Sequence, residues 1–94
     1  MSTKEHILKT WSDYYDAIDR GEKTFDVRRD DRGFQKGDFL ILRRMVKNYS
    51  GSWSEDRTYS TNSPIQLRRR ITYVLTGGQF GIEPGYVVLG LKRA

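Results

Sequence analysis

Lys23, Asp26 and Arg28 place a cation, a carboxylate and a second cation within the run Gly21-Glu22-Lys23-Thr24-Phe25-Asp26-Val27-Arg28. Two such cations can hold a phosphate or a base carbonyl, Arg as a bidentate fork and Lys as a point charge. The carboxylate can orient them or accept from an exocyclic amine. Gly21 can take the left-handed conformation that ends a helix. From Thr24 the pattern has period two, so Thr24, Asp26 and Arg28 share one face of a strand and Phe25 and Val27 the other. Lys9 and Arg32 extend the positive rim. The competing role for the cluster is structural, with Asp26 paired to Lys23 or Arg28 to tie strand to helix.

A second group lies in Thr76-Gly77-Gly78-Gln79-Phe80-Gly81-Ile82-Glu83. Three glycines in five residues either make a tight corner or let a ligand approach the backbone. Gln79 offers a donor and an acceptor, and Phe80 a flat apolar face, so both are binding candidates. For catalysis the candidates are Lys23, Asp26 and Glu83, with a carboxylate as general base.

Before the first cluster, Glu5–Lys9 reads as a short extended segment. A helix follows over about residues 11–20, capped by Thr10 or Ser12, with Tyr14, Ala17 and Ile18 on its inward face. Phe39–Arg43 reads as a strand apolar on both faces. Residues 47–64 read as a long hairpin or mobile loop, in which Tyr49, Trp53 and Tyr59 are stacking platforms or, the preferred reading, pins to the body of the domain. Residues 65–75 form the longest strand. Unbroken alternation puts Ile65, Leu67, Ile71, Tyr73 and Leu75 on one side, interrupted by Arg69, and Arg68 and Arg70 on the other. Those arginines suit phosphates, or the protection of a sheet edge. Glu83-Pro84-Gly85 is a turn, and Tyr86–Leu91 a buried strand. The expected fold is α+β, mainly β: a small barrel of five or six strands with one main helix against it, a single domain over residues 1–94.

The chain has 94 residues and a formal net charge of +5, with no cysteine and one histidine. A disulfide framework and a thiolate metal site are excluded, and neither a metal nor a cofactor is expected. The charge is uneven. Residues 1–46 hold ten basic and nine acidic side chains, residues 47–94 seven and three, which is compatible with a polyanionic partner. With no long apolar run, no membrane partner is expected. The N-terminus lacks a signal-peptide core, so the expected location is cytoplasmic, and the default state a monomer.

Gly21-x-Lys23-x-x-Asp26-x-Arg28 resembles the signature of the ASCH domains, relatives of the PUA domain, with Asp26 where Glu is usual. His6-x-Leu8-Lys9, Gly21–Arg32, Gly37-Asp38 and above all Thr76–Leu89 resemble the DUF3850 branch of that superfamily. The resemblance covers nearly the whole chain outside residues 47–64. It implies a PUA-like β-barrel with a cleft between barrel and helix, and RNA, a nucleotide or a modified nucleoside as ligand. One ASCH branch hydrolyses N4-acylated cytidines with a Lys, a Thr and a Glu. Lys23 matches the Lys, but Asp26 stands at the Thr position, and a carboxylate is a poor replacement for that hydroxyl. The resulting expectation is a module binding single-stranded RNA or a nucleotide through Lys9, Lys23, Asp26, Arg28, Arg32, Gln79 and Phe80. The alternatives are a small nucleoside or nucleotide hydrolase and a protein-interaction module working through residues 47–64.

Overall fold

Alternation of buried and exposed residues begins at once in β1 (Glu5–Trp11), where His6, Leu8 and Thr10 face inward. The computed structural model describes residues 3–94, and in it this segment is a full strand rather than a short lead-in. It runs directly into α1 (Ser12–Asp19), whose N-terminus has no side-chain cap. The cap position falls on Trp11, between the two expected caps: Thr10 lies inside β1, where its buried hydroxyl accepts from Arg28, and Ser12 is already the first helical residue. The inward face of α1 is formed by Tyr15 and Ile18, while Tyr14 is half exposed. Gly21 closes the helix at φ +80°, as its lack of a Cβ allows. Arg69 and Arg93 donate to the carbonyls of Ile18 and Asp19, placing cations at the negative end of the helix.

Beyond the helix come β2 (Phe25–Arg29), β3 (Phe39–Lys47), β4 (Trp53–Glu55), β5 (Gln66–Thr76) and β6 (Tyr86–Arg93). The sheet order is β1-β3-β5-β6-β2, with β4 paired to the far end of β3. Only β1 and β3 run parallel, since α1 and β2 lie between them in the chain and supply the crossover. Leu8, Leu40, Leu42, Ile71, Val87, Leu89 and Leu91 cover one face of this sheet, closed over by Tyr15, Ile18 and Phe34. The mainly-β α+β class is as expected. The barrel is not: no ladder joins β1 to β2, so the sheet is open along that seam.

Two side-chain assignments also change. β2 has the expected period, but its charged face is the inner one. Asp26 is buried, whereas Phe25 and Val27 are 45% and 50% exposed. In β5 the register against β6 shifts between Ile71 and Tyr73, leaving Thr72 as an extra residue. Such a bulge reverses the facing of every residue after it. Tyr73 is therefore turned out and Val74 packs on the core. β5 also lies between β3 and β6, so Arg68 and Arg70 protect no edge.

Residues 47–64 form a hairpin, its first turn held by the Asn48 side chain accepting from the backbone of Ser50 and Ser52. Trp53 docks, stacking on Trp11 at 5.3 Å between ring centroids, but Tyr49 and Tyr59 are fully exposed and pin nothing. Arg44 ties this segment to the helix. Its Nε and Nη2 donate to both oxygens of Asp16, at 2.9 and 2.8 Å, and its Nη1 to Asp56 at 2.7 Å. These bonds hold the Asp16 carboxyl below its ordinary value and the Arg44 guanidinium above its own. Asp16 is 40% exposed, which screens the pair. Arg44→Gln is expected to lower stability by about 1–2 kcal/mol in urea unfolding. An unchanged midpoint would mean that solvent screening cancels the fork.

Candidate functional site

Where the missing ladder between β1 and β2 would run, two arginines reach across instead. Arg28 donates from Nη1 to the Lys9 carbonyl at 3.0 Å and from Nη2 to the Thr10 hydroxyl at 2.9 Å. Arg32, just past β2, donates to the Ile7 carbonyl at 2.9 Å. Ile7 and Lys9 are alternate residues of β1, so their carbonyls emerge on the same free edge. Side-chain forks thus replace backbone pairing along the seam. Among the described residues, no buried side-chain polar atom lacks a partner.

Asp26 anchors this arrangement. It is 5% exposed and faces inward opposite Leu89. Its Oδ2 accepts from Arg28 Nε at 2.6 Å and its Oδ1 from Lys23 Nζ at 3.3 Å. A buried carboxylate requires such partners. Both oxygens are thus engaged by the two cations. The structural role open to this cluster is therefore present, and it also aims Arg28 at the seam.

Two cavities flank the Arg28 bridge and share Lys9 and Arg28. One, about 480 Å³, is basic: it includes Lys9, Arg28, Arg29, Arg32 and Arg43, against Asp31 and Glu55. The other, about 310 Å³, includes Trp11 and Tyr14. Those rings belong to a column along the mouth of the seam. Trp53 stacks on Trp11, Trp11 on Tyr14 at 6.0 Å, and Lys23 Nζ sits 5.0 Å from the Tyr14 centroid and 4.9 Å from that of Phe25. The four aromatic residues are 40–53% exposed. The column has a packing role as well. By register Trp11 lies beside Met45, which is buried although outside the main core cluster.

Lys9, Lys23, Asp26, Arg28 and Arg32 are thus gathered at one place. Gln79, Phe80 and Glu83 are not. Gln79 turns back on its own loop, donating to the Thr76 carbonyl and hydroxyl. Phe80, at φ +53°, is 84% exposed and lines none of these cavities. Glu83 lines a different hollow of about 410 Å³, with Ile82, Tyr86 and Val88. Among the described residues it has no hydrogen bond or ion pair to Lys23 or Asp26, which pair with each other, and Val27 borders both its hollow and the aromatic cavity. The glycine run is a tight corner: a Cβ on Gly77 would strike the backbone oxygens of Glu83 and Tyr86. Sequence reasoning missed Trp11, Tyr14 and Arg43. Trp11 alternates with buried His6, Leu8 and Thr10, a signal that it faces outward, but Tyr14 and Tyr15 compete for the same helical face.

The fold and site define a small, mostly-β domain whose open sheet is stitched by arginines along a basic, aromatic-rimmed seam. The chain belongs to the family described as "Domain of unknown function (DUF3850)", which it matches over residues 5–91. It is also 36% identical over 47 residues to the "Uncharacterized 12.9 kDa protein in GpA 3'region" of Escherichia phage P2. That alignment covers 50% of this chain and 43% of the phage protein. No helix among the described residues is long and apolar enough to cross a membrane.

Proposed function

We propose that the domain binds single-stranded RNA, receiving one nucleotide unit at the seam between β1 and β2. The observation that carries this reading is the pair of contiguous cavities, one cationic and one aromatic, meeting at Lys9 and Arg28. A phosphate suits the side holding Lys9, Arg32 and Arg43, and a base suits the edge of the Trp11–Tyr14 stack. Single-stranded RNA fits better than duplex, because its unstacked bases can enter a cleft. The signature Gly21-x-Lys23-x-x-Asp26-x-Arg28 also supports kinship with the PUA-like ASCH domains, whose implied ligand cleft lies between barrel and helix.

Fluorescence anisotropy with a labelled single-stranded dodecanucleotide tests this, as RNA and as DNA, at about 50 and 200 mM salt. Wild type is expected to bind the RNA, more tightly at the lower salt. Trp11→Ala is expected to lose about 1–3 kcal/mol of binding, as removal of a stacking ring does. Lys9→Gln is expected to weaken binding and flatten its salt dependence by about 0.7 in log–log slope. Indifference of binding to both substitutions would sink the seam as the site. Turnover of a nucleoside panel without oligonucleotide binding would put a hydrolase in its place.

A further inference from the structure

The outward face of the sheet carries a second feature that the seam does not absorb. Lys9 on β1 stands directly opposite Arg43 on β3, and Arg70 on β5 directly opposite Lys92 on β6. Like charges placed opposite each other on paired strands destabilise a sheet. Arg68 lies between the two pairs, opposite Ile41, and its guanidinium sits 3.9 Å from the Phe39 ring centroid. The five cations therefore cross β1, β3, β5 and β6 on a diagonal of about 20 Å at ordinary strand spacing and rise.

Acids offset only two of the five cations. Arg68 pairs with Glu5 at 3.2 Å with both groups about half exposed, and Arg43 pairs with Glu55 at 3.4 Å. Among the described residues, Lys9, Arg70 and Lys92 have no carboxylate within ion-pair distance. Edge protection does not explain Arg68 and Arg70 either, since β5 is an interior strand. Apolar positions interleave with the cations, namely Ile7, Phe39 and Ile41. Lys9 and Arg43 line the basic cavity, so one end of the stripe opens into the seam.

We propose that this stripe is a backbone track for single-stranded RNA, continuous with the seam, along which the phosphates beyond the bound nucleotide run from Lys9 towards Lys92. The inference rests on the seam reading and extends it from one nucleotide to a strand. Cations alternating with apolar side chains form a surface that suits an unpaired strand, with phosphates on the charges and sugars or bases between them.

Anisotropy with a uridine trinucleotide and a uridine dodecanucleotide over a salt series, on wild type and on Arg70→Gln/Lys92→Gln, separates track from seam. Wild type is expected to bind the longer oligomer more tightly. The double variant is expected to lose about tenfold affinity for it at about 50 mM salt, with a log–log slope shallower by about 1.4, while the trinucleotide stays within about twofold. Its thermal midpoint is expected to be no lower than that of wild type, because a like-charge pair has been removed. An unchanged affinity and slope for the longer oligomer in the double variant would overturn the track, as would equal wild-type affinity for the two lengths. Either result leaves the seam standing. Failure of wild type to bind both oligomers overturns the seam and the track together.

Discussion

Arg28→Met is expected to lower folding stability by about 3 kcal/mol, the low end of the range for breaking a buried ion pair. The low end applies because the Arg28 side chain is still 22% exposed. The substitution strands Asp26, 5% exposed, with only Lys23 at 3.3 Å, and removes the donors to the Lys9 carbonyl and Thr10 hydroxyl. Arg28→Lys keeps a charge beside Asp26 but has no fork to span the seam, and the missing hydrogen bonds lead to an expected loss of about 1–2 kcal/mol. The double variant Asp26→Asn/Arg28→Met is expected to be more stable than Arg28→Met alone, since no buried carboxylate is left uncompensated. Equilibrium urea unfolding of wild type, these three variants and Asp26→Asn alone, which completes the double-mutant cycle, measures this. A loss below about 1 kcal/mol for Arg28→Met, with strictly additive effects in the double variant, would show that the pair is solvated and the seam held by other means.

That same cluster marks how far the sequence is legible. The period-two pattern of residues 24–28 identifies β2, and Gly21 identifies the helix end, because both depend on local geometry. Alternation alone does not say which face is inside. An ordinary sheet would bury Phe25 and Val27, but here Asp26 and Arg28 face inward because Lys23, Lys9 and Thr10 satisfy them. Those partners lie up to nineteen residues away in sequence, beyond the reach of any window. The Thr72 bulge is hidden for a related reason. Nothing in Arg70-Ile71-Thr72-Tyr73 forces the extra residue, while its partner Gly90 leaves room for it, a Cβ there meeting Thr72 Oγ1 at 2.9 Å.

Closure of the sheet is the least local property of all. Five or six short strands suggest a barrel, yet whether the first and last strands of the path pair is decided by strand lengths and register summed around the sheet. β2 has only five residues, and arginines from β2 and the turn after it occupy the β1 carbonyls that a ladder would use. The candidate site arises from that incompleteness. A closed ladder would leave no cavities flanking Arg28, and the cluster legible as Lys23, Asp26 and Arg28 would be an internal ion pair and nothing more.

Asp38→Asn is expected to lower stability by about 3 kcal/mol at neutral pH, and the loss is expected to shrink in acid. Asp38 is 3% exposed and accepts three bonds: from the Lys4 backbone at 3.1 Å, from His6 Nε2 at 2.9 Å and from the Gln35 backbone at 3.1 Å. Bonds to a buried charge contribute about 1.5–3 kcal/mol each, and an amide can replace only part of the set. Burial pushes the Asp38 carboxyl up, but the bonds from His6, Lys4 and Gln35 outweigh it and hold the group below its ordinary value. The unfolded chain therefore takes up the proton first as pH falls. The stabilisation is complete above about pH 4 and is lost as pH drops through the folded-state value. Asp16 is also held low and contributes to the acid response of both proteins, so the quantity to follow is the difference between wild type and Asp38→Asn in urea unfolding from neutral pH to strong acid. A difference that stays constant over that range would mean that Asp38 is not the ionised acceptor its geometry requires. Asp38 joins the start of β1 to the turn before β3, just ahead of the Glu5–Phe39 pair that opens their parallel register. The same register sets Lys9 opposite Arg43, so the carboxylate that fixes it at one end also decides where the carbonyls and cations of the seam fall at the other.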